Sequence, residues 1–124
     1  MFGERISNAA TSRWLGSREN GTLYSMPNKT FSLKQWNLVL VIEPYYILTD
    51  LNEKCLETNR KGMAFTTNCT RMDSQLWKNV EGNLVNKETS NCLSSDLDGK
   101  ICTRTCDHSL YQVWLIEKNF LGLP

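Results

Sequence analysis

The sequence predicts a closed all-β fold of three pseudo-repeats with four strands each. Three blocks of its 124 residues match without gaps. Eight residues after the start of each block comes a tryptophan or cysteine followed by leucine. A glycine follows at fifteen residues and a tryptophan at thirty. A repeat of about 40 residues indicates stacked supersecondary units, because one unit cannot bury its apolar face alone. Many short strands joined by regular turns favour a closed all-β arrangement over an open sheet.

The blocks divide the chain into three repeats within one domain. They open at Ile6, Ile47 and Leu84, and the repeats span about 2–40, 41–80 and 81–118 of a single domain over 1–124. A chain of this length fits one domain. Residues 45–49 and 83–86 have the composition of short strands, and no segment shows a capped helical pattern.

Each repeated glycine predicts a hairpin turn between two strands. The predicted turns are 18–21, 59–62 and 96–99. Three residues after each glycine come Tyr24, Phe65 and Cys102. Core residues on either side of them would turn these side chains outward, as candidate contacts for sugar or protein. The alternative is that local twist packs them against their neighbours.

The three repeated tryptophans are predicted to lie in the core and not in a binding site. Trp36, Trp77 and Trp114 occupy the same position in their blocks. Large aromatic side chains at matched positions of a repeat protein are usually buried.

Four of the five cysteines form two pairs with equal spacing. Cys55 and Cys69 are 14 residues apart, and so are Cys92 and Cys106. Equal spacing at equivalent positions predicts one disulfide in each of the last two blocks and leaves Cys102 unpaired. A zinc site is the competing interpretation, but the chain has one histidine and no Cys-x-x-Cys pair.

The disulfides favour an oxidising compartment, and thus a secreted protein or an ectodomain. Glycosylation sequons at Asn20, Asn28 and Asn68 are compatible with that location. An outward thiol at Cys102 would also permit a disulfide-linked dimer.

Charge and motifs exclude several functional classes. The net charge of +1 gives no electrostatic case for nucleic acid or an anionic membrane. No apolar run reaches the ~18–20 residues of a membrane span, so no membrane insertion is expected. No nucleophile–histidine set, metal cluster or phosphate-binding glycine loop is visible. We therefore expect neither an enzyme nor a bound cofactor or metal.

The ends of the blocks resemble a known family. The last two blocks close on Gln-x-Trp triads, after a Cys-Leu pair and a later cysteine. The triads are Gln75-Leu76-Trp77 and Gln112-Val113-Trp114, with Lys34-Gln35-Trp36 as a degenerate first copy and Ile6-Ser7-Asn8 as a typical opening. Residues 2–118 resemble the ricin B-chain-type β-trefoil lectins. Blocks two and three are most similar to the cysteine-rich domain of the mannose-receptor family. The resemblance implies a β-trefoil fold and carbohydrate binding.

The galactose-type site of that family is incomplete in every block. It needs an acid, a stacking ring and an amide side chain at three positions. The acid position holds Gly16, Glu57 and Ser94; the ring position holds Met26, Thr67 and Arg104; the amide position holds Leu33, Ser74 and Tyr111. Because the chain departs from the family at these positions, we expect no strong binding of simple galactose or lactose.

A charged or sulfated sugar is the alternative ligand in the third block. In family members that bind sulfated hexosamines, an aromatic residue at the position of Tyr111 stacks on the sugar. His108, Lys100 and Arg104 would then contact the sulfate, and Asp96 would replace the missing acid. The competing interpretations are that Tyr111 packs at the rim, that His108 is solvated, and that Asp96 only builds its turn.

Two functions remain open at this stage. One is an extracellular carbohydrate-recognition module whose partner is a glycan or glycoprotein. The other is a degenerate β-trefoil that binds no sugar and serves as a protein-binding or structural unit.

Overall fold

The computed structural model describes residues 3–27 and 36–119. These residues form twelve strands and two short 3₁₀ helices, Asp73–Gln75 and Leu110–Gln112. The strands are β1 Gly3–Asn8, β2 Trp14–Ser17, β3 Leu23–Met26, β4 Asn37–Ile42, β5 Tyr45–Thr49, β6 Cys55–Thr58, β7 Ala64–Thr67, β8 Trp77–Val80, β9 Asn83–Asn86, β10 Cys92–Ser95, β11 Ile101–Arg104 and β12 Trp114–Asn119. No helix in these ranges is long and apolar enough to cross a membrane. The sequon at Asn28, the amide position Leu33 and the residues before Trp36 in the degenerate triad lie outside the described residues.

The strands repeat one antiparallel pattern three times. The second and third strands of each repeat form the hairpins β2–β3, β6–β7 and β10–β11. The first strands, β1, β5 and β9, connect these hairpins to the fourth strands, β4, β8 and β12. β1 and β12 pair over six residues, from Gly3 opposite Asn119 to Asn8 opposite Trp114. The predicted all-β architecture of three four-stranded repeats is confirmed.

The core takes equivalent residues from each repeat. The three tryptophans are at most 2 % exposed and pack against leucines of the second strands. Each indole Nε1 donates to the carbonyl of the leucine 21 residues earlier, at 3.0 Å for Trp36, 3.0 Å for Trp77 and 2.8 Å for Trp114. A buried indole without a partner for its N–H would be costly, so these bonds permit complete burial. The predicted core role of the tryptophans is confirmed.

The second block begins one residue later than the ungapped match predicted. The strand pairs Ser7–Trp14, Thr49–Cys55 and Val85–Cys92 are equivalent. Leu48 therefore takes the core position of Ile6 and Leu84, at 0 % exposure. Because side chains alternate along a strand, a shift of one residue moves Ile47 to the other face. There Ile47 packs in a small cluster with Cys55 and Leu76.

The hairpin turns meet in a ring of three glycines around the pseudo-three-fold axis. Gly21, Gly62 and Gly99 have φ values of +93°, +85° and +86°. The Gly21 carbonyl accepts from the Thr66 N–H and the Gly62 carbonyl from the Thr103 N–H, each at 2.9 Å. The Gly99 carbonyl accepts from the Ser25 hydroxyl at 2.9 Å. A Cβ at Gly62 would lie 2.8 Å from the Thr103 carbonyl oxygen, so the turn requires glycine.

The three residues predicted to face outward are half-buried. Tyr24, Phe65 and Cys102 lie directly across the hairpin from the acid positions Gly16, Glu57 and Ser94, respectively. The Arg18 guanidinium lies 4.4 Å from the centre of the Tyr24 ring. These residues are thus partly covered by neighbours instead of open to solvent.

Candidate functional site

A cleft lies on the outer face of the third repeat. It has a volume of about 330 Å³ and is bounded by the β10–β11 hairpin and the second 3₁₀ helix. The three positions that matched the lectin site in this block, Ser94, Arg104 and Tyr111, all line it. These three positions of one repeat therefore line one concave surface, as a small-ligand site requires.

Gln112 of the third triad holds the loop that forms one wall of this cleft. Its side chain is 1 % exposed. Nε2 donates to the Thr105 carbonyl at 3.0 Å, and Oε1 accepts from the Asp107 N–H at 2.8 Å. The disulfide Cys92–Cys106 ties the same loop to β10. The repeated glutamine is thus a structural clamp for the loop at 105–112.

The second 3₁₀ helix positions Tyr111 at the cleft. Tyr111 is half-buried, and its backbone carbonyl accepts from the Asn8 side-chain amide at 2.8 Å. Asn8 is 1 % exposed and also caps the turn after β1. The first repeat therefore holds the backbone that carries Tyr111 beside the cleft.

Arg104 and Asp107 supply opposite charges to the cleft. Arg104 ends β11 and its side chain is exposed. Hydrogen bonds from Ser109, whose backbone N–H lies 2.9 Å from Oδ1, lower the pKa of Asp107, and Arg104 lowers it further. At neutral pH the cleft thus presents a guanidinium donor beside an ionised carboxylate acceptor, and sugar hydroxyls bind to both kinds of group.

Asp96 lines the cleft but also builds the turn of its hairpin. Its Oδ1 accepts from the N–H groups of Asp98 and Lys100, both at 2.9 Å. Asn59 makes the equivalent bonds in the second repeat, to Lys61 and Met63. One carboxylate oxygen of Asp96 is therefore engaged in the turn.

Lys100 and His108 are not brought to this cleft. Lys100 is exposed and lines a separate cavity of about 470 Å³ with Phe65 and Cys102. His108 is exposed, has a φ of +64° and does not line the cleft. Instead, Ser94, Asp107 and Gln112 join Tyr111, Arg104 and Asp96. The alignment contained Ser94 and Gln112, but nothing in the sequence singled out Asp107.

The acid position of the second repeat is used internally. Ser74 Oγ donates to Glu57 Oε2 at 3.1 Å, and Gln75 Nε2 donates to Glu57 Oε1 at 2.8 Å. Both carboxylate oxygens thus bond within the protein. A sugar would have to displace these contacts or share them.

The acid position of the first repeat is covered by an aromatic ring. A Cβ at Gly16 would lie 2.7 Å from Cζ of Tyr24. The Tyr24 side chain therefore occupies the space that an acidic side chain would need, and Gly16 is the residue that permits this close approach. The three acid positions consequently differ, and the third lines the cleft described above.

The cysteines are connected as predicted. The disulfides are Cys55–Cys69 and Cys92–Cys106, and Cys102 is free and half-buried. Burial raises the pKa of the Cys102 thiol, while nearby Arg104 partly opposes that rise. The disulfide-linked dimer through Cys102 stays a prediction.

The fold defines the chain as a β-trefoil protein. It is similar to the designed three-fold symmetric protein ThreeFoil, with a TM-score of 0.80 and 17 % identity over 94 % of this chain and 97 % of that chain. It is also similar to SeviL bound to an asialo-GM1 saccharide, with a TM-score of 0.75, 17 % identity and coverages of 94 % and 97 %.

Part of a larger enzyme also has this fold. The chain is similar to a GlcNAcα1-4Gal-releasing endo-β-galactosidase from Clostridium perfringens, with a TM-score of 0.82 and 16 % identity. This match covers 97 % of the chain but 33 % of the enzyme, so the chain spans about a third of that protein's length. No protein-family model and no curated protein matches the sequence. The finer resemblance to ricin-type and mannose-receptor-type repeats therefore stays a prediction.

Proposed function

We propose that this protein is an extracellular carbohydrate-recognition module that binds a glycan in the third-repeat cleft. The observation that carries the proposal is the convergence of Ser94, Arg104 and Tyr111 on one concave surface. They occupy the three positions at which the lectins that this sequence resembles contact sugar. SeviL, which is similar over the whole fold, has a structure with a bound saccharide, and this similarity adds support.

The residues of the cleft divide the recognition between them. Tyr111 supplies an aromatic face for the apolar side of a sugar ring. Arg104 donates to hydroxyl or acidic oxygens. Asp107, whose Oδ1 already accepts from the Ser109 N–H at 2.9 Å, accepts from a sugar hydroxyl with the acceptor capacity that remains on its carboxylate. Every sugar hydroxyl that leaves water needs such a replacement bond, so this mixture of ring, donor and acceptor suits a glycan.

Simple galactose and lactose are poor candidates for this cleft. The position where the galactose-type site needs a carboxylate holds Ser94, which is 1 % exposed and donates its hydroxyl to the Cys92 carbonyl. Asp96 has one oxygen engaged in its turn. A charged or sulfated sugar fits Arg104 better, because an anionic oxygen forms the stronger bond to guanidinium. We propose a binding role and not a catalytic one, and the two disulfides favour an oxidising compartment.

A protein-binding role is the second candidate function. Strand β4 pairs with β5 and exposes apolar side chains, including Leu40 at 48 % and Ile42 at 61 %. Exposed apolar residues that lie close together are typical of protein contacts. This surface belongs to the first repeat, so mutations there separate the two candidates.

A glycan array with neutral, sulfated and sialylated entries tests the carbohydrate proposal. We expect binding to at least one acidic glycan and none to lactose. Tyr111→Ala should weaken the binding about tenfold or more, Tyr111→Phe should retain it, and Leu110→Ala should serve as the matched control. Leu110 neighbours Tyr111, is 61 % exposed and does not line the cleft.

Three results would argue against this assignment. Unchanged binding by Tyr111→Ala would remove that ring from the site. Micromolar binding of lactose would mean that other residues have rebuilt the galactose-type site. If no glycan bound, and a protein partner bound the unmodified protein but not Ile42→Ser, the protein-binding role would be favoured.

A further inference from the structure

A second, polar groove adjoins the glycan cleft. It has a volume of about 460 Å³, and Arg104 and Asp107 line both depressions. Its other wall comes from the second repeat, where the hairpin turn contributes Arg60, Lys61 and Gly62. The cleft is thus continued across the boundary between two repeats.

The turn that carries these two cations is held firmly. The Gly62 N–H donates to the Asn59 carbonyl at 3.1 Å, and the Asn59 side chain accepts from the Lys61 N–H at 3.0 Å. The Gly62 carbonyl accepts from the Thr103 N–H at 2.9 Å. The backbone under Arg60 and Lys61 is therefore fixed against β11, although their side chains reach into solvent.

The groove carries an excess of positive charge. Arg60, Lys61 and Arg104 line it, with Asp107 as the acidic residue of its lining. Glu88 lies 3.8 Å from Arg60, but the Arg60 side chain is 76 % exposed. An exposed pair at this distance is weak, so it leaves Arg60 available to another anion.

We propose that this groove is an anion subsite that selects acidic glycans, with Arg60 and Lys61 contacting a carboxylate or sulfate on the glycan held by Tyr111. The inference rests on the proposed function, because it assigns the cleft and the groove to one ligand. Three cations around one depression attract an anionic substituent, and a planar guanidinium binds carboxylate or sulfate oxygens in pairs. A neutral glycan would gain nothing from Arg60 or Lys61.

Calorimetry with three matched probes tests the selection. The probes are N-acetyllactosamine, a sulfated form and a sialylated form of the same disaccharide. Arg60→Gln/Lys61→Gln should weaken binding of an acidic form roughly tenfold, the size expected for two exposed charge contacts, and leave the neutral form unchanged. The preferred acidic form distinguishes sulfate from carboxylate.

The matched control, Arg71→Gln/Lys87→Gln, removes two exposed cations that line neither depression. Lys87 lies 3.3 Å from Asp73 as Arg60 lies 3.8 Å from Glu88, so each double variant removes one cation of an ion pair. It should change the preference for acidic forms less than twofold. If both double variants lost the same affinity for the acidic forms, the overall charge of the protein would explain the effect, and the subsite would be overturned. An unchanged preference in Arg60→Gln/Lys61→Gln would also overturn it.

Inorganic sulfate tests the groove without any glycan. In ¹⁵N NMR titrations, the amides of Gly62 and Thr105 should shift with sulfate, and Arg60→Gln/Lys61→Gln should abolish the shift. If these amides shift and no glycan binds, the anion subsite stands and the proposed glycan function fails. If they do not shift in the unmodified protein, the anion subsite is refuted.

Discussion

Replacing the buried glutamine of the third triad should loosen the wall of the glycan cleft without unfolding the protein. Gln112→Met keeps the size of the side chain but removes two hydrogen bonds, one to the Thr105 carbonyl and one from the Asp107 N–H. At about 1 kcal/mol for each bond, the free energy of unfolding should fall by about 2 kcal/mol. The disulfide at Cys106 still anchors the loop, so the fold should persist.

The equivalent glutamine of the second repeat provides the matched control. Gln75 makes four side-chain hydrogen bonds: it accepts from the N–H groups of Thr70 and Arg71 and donates to Glu57 and the Asn68 carbonyl. Gln75→Met should therefore cost about 4 kcal/mol or more, about twice the loss at Gln112. It lies outside the cleft lining and should spare glycan binding.

Denaturant unfolding measures the loss of stability in each variant, and amide hydrogen exchange measures the loosening of the cleft wall. In Gln112→Met, the Asp107 amide should exchange faster, and affinity for the glycan found on the array should fall. In Gln75→Met, stability should fall further, while folded protein retains its affinity. The reasoning is wrong if Asp107 keeps its protection in Gln112→Met, or if Gln112→Met costs more stability than Gln75→Met.

Two further predictions concern the core and the free thiol. Trp77→Ala and Trp114→Ala should each cost about 3–5 kcal/mol and leave the protein largely unfolded by circular dichroism; a stable variant with altered binding alone would place the ring at a surface site. The raised pKa of Cys102 favours the neutral thiol. Native protein should therefore react with iodoacetamide more slowly at pH 7 than urea-unfolded protein, and its rate should increase as the pH rises toward that pKa; equal rates at pH 7 would contradict this.

Local patterns in the sequence were enough to predict most of the fold. Some contacts recur in every repeat or in two of them: the buried tryptophans, the turn glycines and the disulfides. Each leaves the same residue type at the same position of its block, so these contacts could be predicted from the sequence. The exact start of the second block could not, because Ile47 and Leu48 are both apolar. The ungapped match hid a connection that is one residue shorter in the second repeat, where the paired residues Thr49 and Cys55 are 6 apart, than in the first, where Ser7 and Trp14 are 7 apart.

The candidate site was harder to predict than the fold. Arg104 and Tyr111 occupy the ring and amide positions of the lectins that the third block resembles, and this match was enough to predict that they lie at one site. Lys100 is close to both in sequence, but it follows the tight turn at Gly99 and lines another cavity. Arg60 and Arg104 line one groove because the second and third repeats pack together, and no pattern within a single block could predict that.

The ring of glycine turns has a consequence for how the protein unfolds. The first repeat bonds to the second through Gly21, the second to the third through Gly62, and the third returns to the first through Gly99. In an open solenoid, the end repeats have one neighbour and can fray first. Here each repeat is bonded to both of the others, so no repeat has a single neighbour. Loss of one turn removes contacts from both neighbours, so the three repeats should melt in a single two-state transition.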